Sequence, residues 1–167
     1  MGKITPEITP PAPLNSTHDV AAFDCGKPAL TDWLRVQALR NEGKASRTYV
    51  VCSGNRVIGY YALAAGAVER ANAPSNLARN MPDPIPVFVL GRLAVDSSFH
   101  DRRIGEGLLK DALKRCLNAS REIGARAVLV HAIDSEAAGF YLPYGFQAFK
   151  DDGRTLYLPL GQVAASL

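Results

Sequence analysis

The run PVFVLGRLAVD, Pro86 to Asp96, is interrupted only by Gly91 and Arg92. A strand wet on one face alternates apolar with polar residues, and this one does not, so it predicts a strand covered on both faces. Downstream, Gly105 to Gly124 puts Leu108, Leu109, Ala112, Leu113 and Cys116 on one stripe, with Lys110, Lys114 and Arg115 at its edges. That is an amphipathic helix, and Gly124 is its expected stop. ARAVLVHA, Ala125 to Ala132, follows as a second buried strand. The combination predicts a single mixed sheet flanked by helices, of the α/β (α+β) class.

The remaining elements fit around this centre. Pro28 suits the first turn of a helix running to about Asn41, with Leu30, Trp33, Leu34, Gln37, Ala38 and Asn41 on one face and Gly43 as its stop. TYVVC and RVIGYYALAAG, joined by Ser53-Gly54-Asn55, predict a hairpin, and Gly59 inside the second strand marks a bulge or a close approach. Val68 to Pro86 is a long loop with a short turn around Leu77. Asp134 or Ser135 caps a short helix to Tyr144, and Phe146–Lys150 pairs with Leu156–Leu160 around Asp151, Asp152 and Gly153. Residues 1–16, rich in proline, predict an extended arm, and residues 17–167 a single domain.

Composition excludes several function classes. A net charge of +3 is too mild to argue for nucleic acid by itself. Cys25, Cys52 and Cys116 are an odd set without C-x-x-C spacing, which speaks against a disulfide framework and suits a reducing cytoplasm. His18, His100 and His131 have no carboxylate or cysteine at ligand spacing, so no metal is expected. No apolar stretch approaches the ~20 residues that span a bilayer, and the expectation is a soluble, cytoplasmic protein.

The segment FHDRRIGEGLLKDALKRC sets Arg102, Gly105 and Gly107 at R-x-x-G-x-G spacing where the long helix begins. A helix start presents amides without intrahelical partners and the positive end of the helix dipole, and glycine lets an anion approach the backbone. Arg102 and Arg103 add charge to the same place. A tight strand-to-helix turn with solvated arginines would read the same way, so the spacing alone leaves both open. It is one glycine short of a dinucleotide-binding fingerprint.

After the next strand comes AAGFYLPYGFQ, Ala137 to Gln147. Together, R-x-x-G-x-G over Arg102–Gly107 and A-x-x-F-Y-x-x-x-G-F over Ala137–Phe146 resemble the signatures of the GNAT N-acetyltransferases. FDCGKPALTDWLRVQALRNEGKASRTYVVC, RNMPDPIPVFVLGRLAVDSSFH and RTLYLPL resemble more narrowly the toxin subclass typified by TacT and AtaT. The resemblance implies the GNAT fold and acetyl-CoA as acyl donor. It places the pyrophosphate on the turn of Arg102, Arg103, Ile104, Gly105, Glu106 and Gly107, and the pantetheine and acetyl carbonyl on the backbone of Leu93, Ala94 and Val95. It makes Tyr141 the general acid, a role suited to a phenol protonated at neutral pH; Tyr144, three residues on at helical spacing, is read from that spacing as a packing residue.

For the subclass, the implied reaction is acetylation of the α-amino group of aminoacyl-tRNA, which blocks translation. An aminoacyl ester has an amine of low basicity and needs little help from a base. The implied partners are aminoacyl-tRNA and a ribbon-helix-helix antitoxin, with operator DNA met only through the antitoxin complex, and the protein is expected to be a homodimer. Arg35, Arg40, Lys44, Arg47, Arg79 and Arg92 are candidate tRNA contacts; Arg92, a charge in an apolar strand, needs a partner or a pocket. The alternatives are a GNAT enzyme for a small amine or a protein N-terminus, and a non-catalytic acyl-CoA-binding or interaction module.

Overall fold

The computed structural model describes residues 7–167. The first six residues of the predicted arm lie outside the described residues. Along the chain come β1 (Ala12–Pro13), α1 (Pro28–Asp32), a π-helical segment (Trp33–Gln37), α2 (Ala38–Asn41), β2 (Arg47–Ser53) and β3 (Arg56–Val68). Next are α3 (Ser75–Ala78), β4 (Ile85–Val95), α4 (Ile104–Ala119), β5 (Ala127–His131), α5 (Ser135–Tyr141), β6 (Gln147–Phe149) and β7 (Asp152–Pro159). The described strands form one sheet in the order β1-β2-β3-β4-β5-β7-β6. β4 and β5 are parallel, from Val87↔Ala127 to Leu90↔Val130, whereas β5–β7 and β6–β7 are antiparallel. The sheet is therefore mixed, as the sequence predicts.

The chain divides into two compact units. One takes the residues up to Ala62 together with Leu93–Leu109. Its core gathers Phe23, Leu34, Ala38, Val50, Cys52, Val57, Tyr60 and Ala94. The predicted helix from Pro28 to Asn41 is present but widened in the middle. The Tyr60 hydroxyl donates to the Leu30 carbonyl at 2.6 Å, and the Trp33 ring stacks on Tyr60 at 5.9 Å. A side-chain donor inserted into the ladder takes a carbonyl that would otherwise serve the next turn, which is a usual origin of a π segment. Gly43, at φ +76°, ends the helical run.

In β3, a Cβ on Gly59 would lie 2.9 Å from Val51 Cγ2 and 3.1 Å from Leu108 Cδ1, so the glycine marks a close approach. The arm lies along β2, with Ala12↔Val50 and Pro13↔Tyr49 in register and Thr9 N–H donating to the Cys52 carbonyl at 2.9 Å. Proline is tolerated on such an edge strand.

The other unit takes Leu63–Arg92 and Lys110–Leu167. Its long loop is anchored. Leu77 of α3 is fully buried with Ile85, Val87, Ala127, Leu129 and Tyr157, a burial that contributes about 2 kcal/mol. The Arg126 guanidinium donates to the carbonyls of Asn76 at 3.0 Å and Leu77 at 3.3 Å.

Two expectations need correction. The helix α4 ends at Ala119, short of Gly124; there the Ser120 hydroxyl donates to the Leu117 carbonyl at 2.6 Å, satisfying one carbonyl of the last turn locally. Nor is β4 fully covered: Phe88, Val89, Leu93 and Val95 remain half-buried. An all-apolar run says that a strand avoids bulk water. It does not distinguish cover by the chain's own side chains from cover by a bound molecule. Among the described residues, no helix is long and apolar enough to cross a membrane.

Candidate active site

The segment from Val95 to Gly107 is built around one carboxylate. Asp96 is 2% exposed. Its Oδ2 accepts from Asp24 N–H and from Arg56 Nη2, each at 3.1 Å, and its Oδ1 accepts from Ser98 N–H at 2.9 Å and Ser98 Oγ at 2.6 Å. Burial pushes this carboxyl upward, but the Ser98 and Asp24 hydrogen bonds and the Arg56 charge outweigh it and hold it below the usual carboxylate range. His100 Nε2 meets the Val95 carbonyl at 2.7 Å. The end of β4 is thereby fixed to the turn that leads into α4. Sequence reasoning missed Asp96 as a site element; the pattern Asp-Ser-Ser at a strand end, a local cap, was the available signal.

The Arg102 guanidinium lies 5.1 Å above the centre of the Phe99 ring, and Arg103 adopts φ +55°. A non-glycine residue there is uncommon and turns the chain sharply into the helix. Gly107 N–H donates to the Arg103 carbonyl at 3.2 Å, so the amides of Ile104 and Gly105 precede the first bonded turn. A Cβ on Gly107 would meet nothing within 4 Å. Arg102 and Arg103 are exposed, Ile104, Gly105 and Glu106 half-buried. Outward amides, open volume over a glycine and two guanidinium groups are what a diphosphate needs. On β4, Ala94 is buried and Leu93 and Val95 half-buried.

Tyr141 ends α5, which Asp134 caps by accepting from Ala137 N–H at 2.8 Å. Its ring packs edge-on against Phe140 at 5.1 Å and Phe146 at 5.4 Å. The residue is 5% exposed, and among the described residues its hydroxyl makes no hydrogen bond. The proton of that hydroxyl is therefore not committed to an acceptor within the described residues. Burial also pushes the phenol above its ordinary range, so it stays protonated at any working pH. Tyr144 is half-buried, its ring 5.7 Å from Phe140, and it lines a cleft of about 400 Å3 with Pro143, Gly145, Leu158, Gln162 and Ala165.

The basic candidates belong to several different elements. Arg35, Arg40 and Lys44 are exposed on and after the helical run, and Arg47 is exposed with its Nη1 3.8 Å from Glu42 Oε2. Arg79 is exposed at the end of α3, and Arg92 is half-buried in β4 and engaged rather than isolated. All three cysteines are buried, and desolvation raises Cys116 to about 12, which removes it as a nucleophile near neutrality. Among the described residues, no group of three potential ligands is placed to hold a metal ion.

Comparison with known proteins shows the family. The acetyltransferase (GNAT) domain profile matches residues 44–148. The chain is 46% identical over 149 residues to a tRNA-acetylating toxin of Mycobacterium tuberculosis, covering 89% of this chain and 90% of that one. AtaT complexed with acetyl-methionyl-tRNAfMet superposes with a TM-score of 0.85 at 28% identity, covering 95% of this chain and 98% of that one. A tyrosine-to-phenylalanine variant of AtaT, bound to the C-terminus of the antitoxin AtaR and to acetyl-CoA, superposes with a TM-score of 0.82 at 29% identity, covering 95% and 97%. With its mixed sheet, its arginine-glycine helix start and its buried tyrosine, the chain belongs to the GNAT acetyltransferase family.

Proposed function

We propose that this protein is an acetyl-CoA-dependent N-acetyltransferase that acetylates the α-amino group of aminoacyl-tRNA and so blocks translation. The observation that carries the acceptor assignment is the 46% identity, over nine-tenths of both chains, with a toxin named for that reaction. The turn and the tyrosine argue for acyl transfer and are silent on the acceptor. The assignment takes residues 17–167 as one acetyltransferase domain behind the N-terminal arm.

Acetyl-CoA supplies an activated acetyl thioester. The amides of Ile104 and Gly105 and the guanidinium groups of Arg102 and Arg103 hold its diphosphate, with Glu106 and Gly107 completing the turn. Gly107 supports this fit, since its missing Cβ leaves open space at the helix start. The backbone of Leu93, Ala94 and Val95 runs along the pantetheine arm. The Val95 carbonyl already meets His100 and keeps its second lone pair for a ligand donor.

Tyr141 donates its proton to the departing sulfur. Its O–H has no competing acceptor among the described residues, and its burial keeps the donor form. Such general acid assistance contributes typically ~100-fold or more. Arg35, Arg40, Lys44, Arg47, Arg79 and Arg92 supply positive charge for the tRNA backbone. A ribbon-helix-helix antitoxin neutralises the enzyme, operator DNA is bound only through that complex, and the working form is a cytoplasmic homodimer.

The test is cell-free translation with and without acetyl-CoA, followed by mass analysis of the tRNA-linked amino acid. Acetyl-CoA-dependent arrest with an acetylated amino acid is expected. Arrest with an unmodified amino acid would defeat the reading.

A further inference from the structure

The peptide that ends β4 is held from both sides. Asp96 N–H donates to the Ile58 carbonyl of β3 at 2.8 Å. The Val95 carbonyl belongs to the same peptide, and in a trans peptide the C=O points opposite to the N–H. That carbonyl is therefore directed away from β3. Immediately afterwards the chain folds back. Asp96 accepts from Ser98 N–H through its side chain and from Phe99 N–H through its carbonyl, each at 2.9 Å, which closes a 3-10 turn over Ser97–Phe99. The turn returns His100 to the strand the chain has just left, where its Nε2 meets the Val95 carbonyl at 2.7 Å. A carbonyl can only accept, so Nε2 carries the hydrogen in the neutral ring as in the charged one. In the neutral ring Nδ1 keeps a lone pair and offers no proton to an anion.

We infer that His100 is a positioning residue for the pantetheine arm of acetyl-CoA. It holds the Val95 carbonyl in place for an amide N–H of the arm and fixes that carbonyl relative to the arginine-glycine turn. The inference rests on the cofactor placement in the proposed function and deepens it; the identity of the acceptor does not enter.

The Val95 carbonyl has two lone pairs, of which His100 uses one, and it faces away from its own hairpin partner. An amide N–H laid along the end of β4 can take the other. The segment Leu93–Leu109 falls within one compact unit, so the carbonyl, the histidine and the two arginines share a frame. A ligand with a diphosphate at one end and amides along its arm engages two places at once. The second contact adds affinity only if the two places are already held at a matching separation. His100 supplies that hold: its backbone stands in the turn and its ring bonds to the strand end. Without the ring the carbonyl is free to reorient towards water. The nucleotide half of the cofactor, met by the amides of the helix start and the guanidinium groups, does not depend on the ring. His100 is exposed, so truncating it removes no core packing.

The test is calorimetric binding of coenzyme A and of its nucleotide half alone, which keeps the diphosphate and lacks the arm, with thermal unfolding as the check on folding. Wild type is expected to bind coenzyme A the more tightly of the two. His100→Ala should lose about tenfold in affinity for coenzyme A, the order of one hydrogen bond, while its affinity for the nucleotide half holds within about twofold. His100→Gln, whose amide can donate from near the position of Nε2, should recover most of that loss. A general loosening of the turn would weaken both ligands alike. That outcome, or undiminished binding of coenzyme A by His100→Ala, overturns the inference and leaves the cofactor placement standing. A wild type that binds the two ligands equally draws nothing from the arm, which overturns the placement along Leu93, Ala94 and Val95 together with the inference.

Discussion

Arg56 Nη2 and Asp96 Oδ2 lie 3.1 Å apart, joining the start of β3 to the end of β4 beside the turn into α4. The carboxylate is buried and accepts three further hydrogen bonds, so removing its charge leaves the Ser98 and Asp24 donors poorly matched. Asp96→Asn is expected to cost about 2 kcal/mol of stability in denaturant unfolding. It should also weaken acetyl-CoA binding severalfold by loosening the turn. Because folding lowers the Asp96 pKa, its contribution is present above the unfolded value of ~3.9 and is lost as pH falls through the folded value. The asparagine variant should lack that part of the acid sensitivity.

Gly107 separates stability from binding. A methyl group there meets no protein atom within 4 Å, and alanine is the better helix former by about 1 kcal/mol. Gly107→Ala should therefore raise the melting temperature slightly while raising the KM for acetyl-CoA. A variant with unchanged KM would show that the open volume is not used by the acyl donor.

Gly59 is the opposite case. Its Cβ would fall 2.9 Å from Val51 Cγ2, inside a packed region. Gly59→Ala should destabilise by about 1–3 kcal/mol, visible as a lower denaturation midpoint.

The Cys116 thiol, raised to about 12 by burial, gives an alkaline signature. The unfolded thiol ionises near ~8.5, so its contribution is complete below that pH and is lost as pH rises towards 12. Cys116→Val should flatten this alkaline decline in thermal unfolding between roughly pH 8.5 and 10, and native Cys116 should resist alkylation at pH 8.

Much of this fold was legible in the sequence because its signals are local. The Asp134 cap, the Gly54 turn and the stripe from Leu108 to Cys116 each follow from residue chemistry within one turn or strand. What was not legible depends on distant partners. β1 exists because the arm meets β2, and nothing in Ala12–Pro13 alternates. The π segment exists because Tyr60 reaches Leu30 from another element. The candidate site divides the same way. The arginine-glycine turn and Tyr141 carry motifs. The carboxylate of Asp96 and its link to Arg56 become visible only when strands are paired.

The central claim is that a buried phenol, unpartnered among the described residues, serves acyl transfer to charged tRNA. Tyr141→Phe removes one oxygen and no hydrogen bond among the described residues, so folding and acetyl-CoA affinity should hold within about twofold. The decisive measurement is the single-turnover rate of aminoacyl-tRNA acetylation by wild type and Tyr141→Phe at saturating acetyl-CoA. The expected result is a loss of at least about 100-fold. A variant that acetylates at the wild-type rate would contradict the account.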